Sequence, residues 1–266
     1  MLIYLCLSSH GFGHAARQSS ILFELHRLRP DWRIVVSSVV DISFLKLAFQ
    51  GIKVEFRRFK WDVGMVQTNA LGSNKKETLC DLKFLDKILP EQIKSEALWI
   101  KEQKIPSIII ADIPPSAFDL SIHSNSPVLW IGNFGWDEIY LPFGGEFNYF
   151  AEIAFQKYSK GNLLIRLPFS MNMNWGLTEK NVGLTTLNPK PISNVTLNQI
   201  NSFPGEIIVV GFGGFGFNLT PKLFLKWPDR LFLMKETPLG TGLDELDNIK
   251  IIPESTRILD ILPYCS

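Results

Sequence analysis

Short runs that are apolar at every position recur along this chain, each followed by residues at helical spacing. LIYLCLS (1st run, from Leu2), WRIVVSSVV (from Trp32), IPSIIIAD (105–112) and PVLWIGN (127–133) are the clearest. A strand with one wet face alternates polar and apolar side chains, so a strand without that alternation must be covered on both faces. Helices between successive strands supply the cover. The order therefore predicts an α/β fold built on a parallel sheet.

The intervening stretches fit. A helix is expected from Ala15 to Leu28, with Ile21, Leu22, Leu25 and Leu28 on one face and Pro30 as its stop. SFLKLAFQG reads as a helix closed by Gly51, and KVEFRRF as a third strand. KETLC through IKEQK (76–104) reads as a long helix bent at Pro90, and a further helix is expected near Ala117–His123. Residues 1–185 form the first expected domain. Residues 186–204 are rich in Asn, Pro, Ser and Thr with little periodicity, which reads as a linker. A second α/β run, 205–266, has only about three strands, so a truncated, Rossmann-like second domain is expected.

The formal net charge is +1 with 20% charged residues, and no basic stripe argues for nucleic acid as a partner. No apolar run approaches the roughly 20 residues of a membrane helix, and the start lacks a signal-peptide pattern. The 3 cysteines lack metal spacing. Together these features lead to the expectation of a cytoplasmic protein with reduced thiols. The oligomeric state is not legible.

Two glycine loops carry most of the functional signal. Gly211, Gly213 and Gly216 fit a dinucleotide fingerprint with Glu236 beyond the next strand. Gly11, Gly13 and Ala16 fit its variant with Asp41. One NAD needs one site, phenylalanines crowd the second loop, and His14 stands where pyrophosphate would meet a helix N-terminus. Those features count against an NAD enzyme.

The combination HGFGHAAR (10–17), DVGMVQTNAL (62–71), ADIPPSA (111–117), NFGWDEIY (133–140), LLIRLP (163–168) and FGG (212–214) resembles the GT-B glycosyltransferases, in their MurG-like and UDP-glycosyltransferase branches. Within them it is most similar to the glycosyltransferase-like N-terminal regions of plant L-arabinokinases. The resemblance implies a GT-B fold: a Rossmann-like, acceptor-side domain, then a donor-side domain here expected to be incomplete. It implies inverting, metal-independent transfer from a nucleotide-sugar donor to a small-molecule or glycolipid acceptor, with no further cofactor. By the same resemblance His14 is the general base, Asp112 orients it, and Gly213 and Gly214 meet the donor diphosphate.

Each candidate also has a plainer reading. His14 could cap or pack its helix, Asp112 could cap the next one, and His10 could line a pocket or bond to backbone. Gly11 and Gly13 could serve the turn as much as a ligand. Asn133, Trp136 and Asp137 suit a sugar, the indole stacking and its neighbours bonding hydroxyls; equally, Trp136 could anchor its own loop. Asp62, Gln67 and Asn69 lie on a long polar loop, and Arg166 is a charge in a strand that needs a partner. The alternatives to a transferase are a non-catalytic module binding a sugar or sugar nucleotide, and a sugar-nucleotide epimerase.

Overall fold

The computed structural model describes residues 1–69, 72–211, 219–235, 242–243 and 245–266. Two compact units emerge. The first holds residues 1–66 and 73–185, the second 67–72 and 186–266.

In the first unit the chain runs β1 (Leu2–Leu7), α1 (Gly13–Leu28), β2 (Arg33–Ser37), α2 (Ile42–Ala48), β3 (Val54–Arg57), α3 (Lys75–Glu102), β4 (Ser107–Asp112), α4 (Ala117–Ser124), β5 (Val128–Gly132), α5 (Trp136–Tyr140), α6 (Phe147–Tyr158), β6 (Leu163–Arg166) and β7 (Glu179–Asn181). The strands form a seven-stranded sheet in the order β3-β2-β1-β4-β5-β6-β7, with every pairing parallel. Side chains of β1 divide by period two. Leu2, Tyr4 and Cys6 join a core with α3, α4 and α6, while Ile3, Leu5 and Leu7 join a core with α1 and α2. That division is why β1 is apolar throughout.

α3 passes through Pro90 as one assigned helix, opened by the Asn74 side chain accepting from Glu77 N. Asp41, a ribose-binding acid in the dinucleotide reading, instead caps α2: its carboxylate accepts from the backbone N–H groups of Ser43 (2.8 Å) and Phe44 (3.2 Å).

The second unit carries α7 (Asn194–Asn201), β8 (Glu206–Val210), α8 (Pro221–Phe224), β9 (Arg230–Met234), β10 (Ile249–Ile251) and α9 (Ile258–Ile261). Its parallel sheet has the order β10-β9-β8. The stretch 186–204, expected to be a linker, contains α7. Ser193 caps that helix, and Ile192 and Ile200 are buried in this unit's core with Leu231 and Leu233. Five polar residues in eight hid a helix whose apolar positions are few but well placed.

Candidate functional site

Strand order reverses between β1 and β4, since β2 and β3 extend the sheet one way and β5 to β7 the other. In open α/β sheets ligands enter the crevice beyond the carboxyl ends of the strands at such a reversal. β1 ends at Leu7, and the chain turns through Gly11, whose φ of +80° suits glycine. α1 then begins at Gly13, where an added Cβ would meet nothing within 4 Å, so open space adjoins the backbone. His14 is its second residue. Asp112 is the last residue of β4, in register with Leu7.

The structure brings His14, Asp112 and Asn133 together. His14 Nδ1 lies 2.8 Å from Asp112 Oδ1. Arg17 reaches the same carboxylate from α1: Nε donates to Oδ2 at 2.6 Å and Nη2 to Oδ1, while Nη1 donates to Asn133 Oδ1 at 2.6 Å. Gln18 Nε2 adds a donor to Oδ2 at 2.6 Å. Burial alone would raise the pKa of Asp112, but the Arg17 guanidinium and His14 outweigh it and hold the carboxyl far below the usual range.

Arg17 Nη2 is also 2.9 Å from His14 Nδ1, so Nδ1 faces both a donor-only guanidinium and an acceptor-only carboxylate. With the Nδ1 proton directed at Asp112, Nε2 is the nitrogen that keeps its lone pair. His14 is only 5% exposed, so little of the ring can be reached. Phe134 packs edge-on against the ring at 5.8 Å between ring centres.

The segment after Asp112 is tightly held. Ile113 has a φ of +147°, an uncommon conformation for a β-branched residue, and its carbonyl accepts from Tyr158 Oη at 2.6 Å. Gly132 admits the Ile113 side chain where any Cβ would collide with it.

Trp136 is placed differently from the expectation. It is 1% exposed, so it offers no face for a sugar to stack on; its indole N–H donates to Asp62 Oδ2 at 2.8 Å. Asp137 is likewise buried. Trp175 donates to its Oδ2 at 3.0 Å, and its Oδ1 has no hydrogen-bond partner among the described residues. Burial pushes Asp137 up to about 6 and raises Asp62 as well. Trp136 belongs to the core cluster that includes Trp130, Tyr158 and Trp175.

His10 lies between the two clusters. It meets Trp136 edge-on at 5.2 Å and packs on Gly64, where a Cβ would come within 2.6 Å of its ring. Burial lowers its basicity, and the Asp62 charge partly opposes that. Asn69 closes a local turn by accepting from Gly72 N at 2.9 Å. Arg166 finds both kinds of partner inside the protein: Glu179 at 2.7 Å, and the carbonyls of Met171 (2.9 Å) and Asn172 (2.8 Å). Gly213, Gly214 and Glu236 lie outside the described residues. Among the described residues no group of three or more His, Cys, Asp or Glu side chains is placed to hold a metal ion. Nor is any helix long and apolar enough to cross a membrane.

Sequence reasoning missed Arg17 and Gln18, although the signal was present. Three and four residues after His14, they fall on its face of α1. A His-Arg-Gln stripe on a helix packed against a sheet needs an acid opposite.

No family model matches the sequence. L-arabinokinase of Arabidopsis thaliana is 28% identical over 169 residues, which are 61% of this chain and 16% of that protein. The chain thus spans about a sixth of that curated relative. Among solved structures, Arabidopsis thaliana UGT89C1 complexed with quercetin superposes with a TM-score of 0.60 at 12% identity, covering 94% of this chain and 68% of that one. Medicago truncatula UGT71G1 complexed with UDP-glucose gives 0.59 at 13% identity, with 94% and 71% covered. The fold is therefore that of the GT-B glycosyltransferases. More narrowly, it is the fold seen in plant UDP-glycosyltransferases.

Proposed function

We propose that this chain transfers a sugar from a nucleotide-sugar donor to an acceptor hydroxyl, with inversion and without a metal. The observation that carries the proposal is the 2.8 Å pairing of His14 Nδ1 with an ionised Asp112 at the sheet reversal. His14 Nε2 accepts the proton of the acceptor hydroxyl as its oxygen bonds to the anomeric carbon. The bond from that carbon to the diphosphate oxygen breaks, and the nucleoside diphosphate leaves with the electron pair. Asp112 holds the ring in the accepting tautomer and balances the imidazolium. Gly213 and Gly214 are proposed to meet the diphosphate through backbone N–H groups. His10, Gly11, Gly13 and Asn133 are proposed to shape the acceptor side. A UDP-sugar is the proposed donor because Arabidopsis thaliana UGT89C1, which shares this fold, is known in complex with UDP and with UDP-L-rhamnose. A cytoplasmic location is part of the proposal and is supported by three free cysteines.

The test is transfer by the purified chain from UDP-, GDP- and TDP-sugars to a panel of hydroxyl acceptors. Replacing His14 with Ala should lower turnover by about 10²–10⁴-fold with the circular-dichroism spectrum unchanged. Unchanged turnover would overturn the proposal.

One observation favours a second reading, a module that binds a sugar nucleotide without transferring the sugar. Arg17 already occupies both oxygens of Asp112, so less of the carboxylate's field is left to balance an imidazolium. Saturable binding of a sugar nucleotide with no transfer to any acceptor would favour that reading.

A further inference from the structure

A groove with a cavity volume of about 450 Å³ lies away from the His14 cluster, between α3 and the residues that follow β3 at the edge of the large sheet. That volume is in the range of pockets that take one organic molecule. Its apolar wall includes Phe59, Phe84 and Ile88. Phe59 is fixed by stacking on buried Trp61, with ring centres 3.9 Å apart. Phe84 is 63% exposed, although Leu85 beside it belongs to the core.

The charges around this wall have one sign to spare. Arg58 is exposed and has no ion-pair or hydrogen-bond partner among the described residues. Lys60 has Asp81 at 3.8 Å, and both side chains are more than 40% exposed, a geometry that contributes little. The acid on the groove wall, Glu96, is already bound by Arg57 and Tyr4. The groove thus offers aromatic and aliphatic surface beside the unpaired Arg58 and the weakly paired Lys60, with Glu96 already bound by Arg57.

We propose that the groove is a ligand site for an amphipathic organic anion. A ring or short hydrocarbon sits between Phe59, Phe84 and Ile88, and its carboxylate, sulfonate or phosphate lies between Arg58 and Lys60. The basic side, residues 58–60, continues directly into Trp61 and Asp62, so an occupant bears on the segment that supports Trp136. The inference does not depend on transferase activity.

The probe is 8-anilinonaphthalene-1-sulfonate, with neutral N-phenyl-1-naphthylamine as its counterpart, both followed by fluorescence titration of the full chain. One saturable sulfonate site is expected, with the neutral probe binding at least tenfold more weakly. Gln92→Trp, an exposed position on the groove wall, should weaken sulfonate binding at least tenfold, as should the pair Arg58→Glu and Lys60→Glu. Lys94→Glu, an exposed charge outside the groove on the same helix, should leave binding unchanged. Circular dichroism checks that each variant is folded. Absence of saturable binding, sulfonate affinity unaffected by Gln92→Trp, or equal affinity for both probes would overturn the proposal.

Discussion

Asp112 and Asp137 make an informative pair. One closes β4 and the other is the second residue of α5, the helix that follows β5, the neighbour of β4 in the sheet, and both are buried. Yet Asp112 is held as an anion while Asp137 is pushed up to about 6. Burial is common to them and pushes both upward; the Arg17 guanidinium and His14 beside Asp112 outweigh it, and Asp137 has no such cation. Asp112 has four side-chain donors from three residues, counting both nitrogens of Arg17, whereas among the described residues the indole of Trp175 is the only side-chain donor on Asp137. A carboxylate rich in donors can serve chemistry, and one starved of them serves packing.

The contrast breaks most sharply at Asp112. Asp112→Asn should destabilise the protein by about 3–5 kcal/mol in urea denaturation, because Arg17 would remain largely buried without its counter-charge. A loss below about 1 kcal/mol would mean that Arg17 is solvated and the two acids are alike.

Asp137→Asn should act in the opposite direction. An acid raised from 3.8 to about 6 keeps its proton longer in the folded state, so the contribution of Asp137 to wild-type stability is greatest below pH 3.8. It declines as the pH rises to about 6 and is level above. At 1.36 kcal/mol per pH unit, the variant gains up to about 3 kcal/mol over wild type at pH 8. Near pH 4 it gains almost nothing, while its amide can still accept from Trp175. Denaturation at the two pH values checks this, and an equal effect at both would remove the electrostatic explanation.

Trp136→Phe should cost about 1–3 kcal/mol, since Asp62 loses its indole donor while staying buried. Thermal unfolding measures it. The smallest effect is expected at Gly13→Ala: the added methyl meets nothing, so helix propensity should stabilise α1 by about 0.5–1 kcal/mol. A loss of stability there would show the space beside α1 to be smaller than described.

The sheet was legible because burial on both faces leaves a direct trace in composition, as in IIIA of β4. Helix α6 was not read: Gly144 and Gly145 precede it, and its FNYFAEIAFQKY sequence carries no capping signal. β7, an exposed Glu-Lys-Asn, has no strand signature and exists because β6 offers it an edge. The pairing of His14 with Asp112 was anticipated through family resemblance, 98 residues apart, and no local pattern contains it. Trp136 shows the limit of reading residue type alone. An indole beside Asn and Asp looks like a sugar platform, but which way it faces depends on partners such as Asp62, 74 residues distant.

The in-step pairing of Leu7 with Asp112 has a consequence for how this chain can change over time. Adjacent positions on a strand face opposite ways, so an insertion or deletion of one residue inside β4 would turn the carboxylate away from α1 and present its neighbour's side chain instead. Loops at the far end of the sheet can lengthen or shorten without that penalty. The pairing of His14 with Asp112 is therefore protected by parity, and the tolerated edits should cluster where no strand has to count.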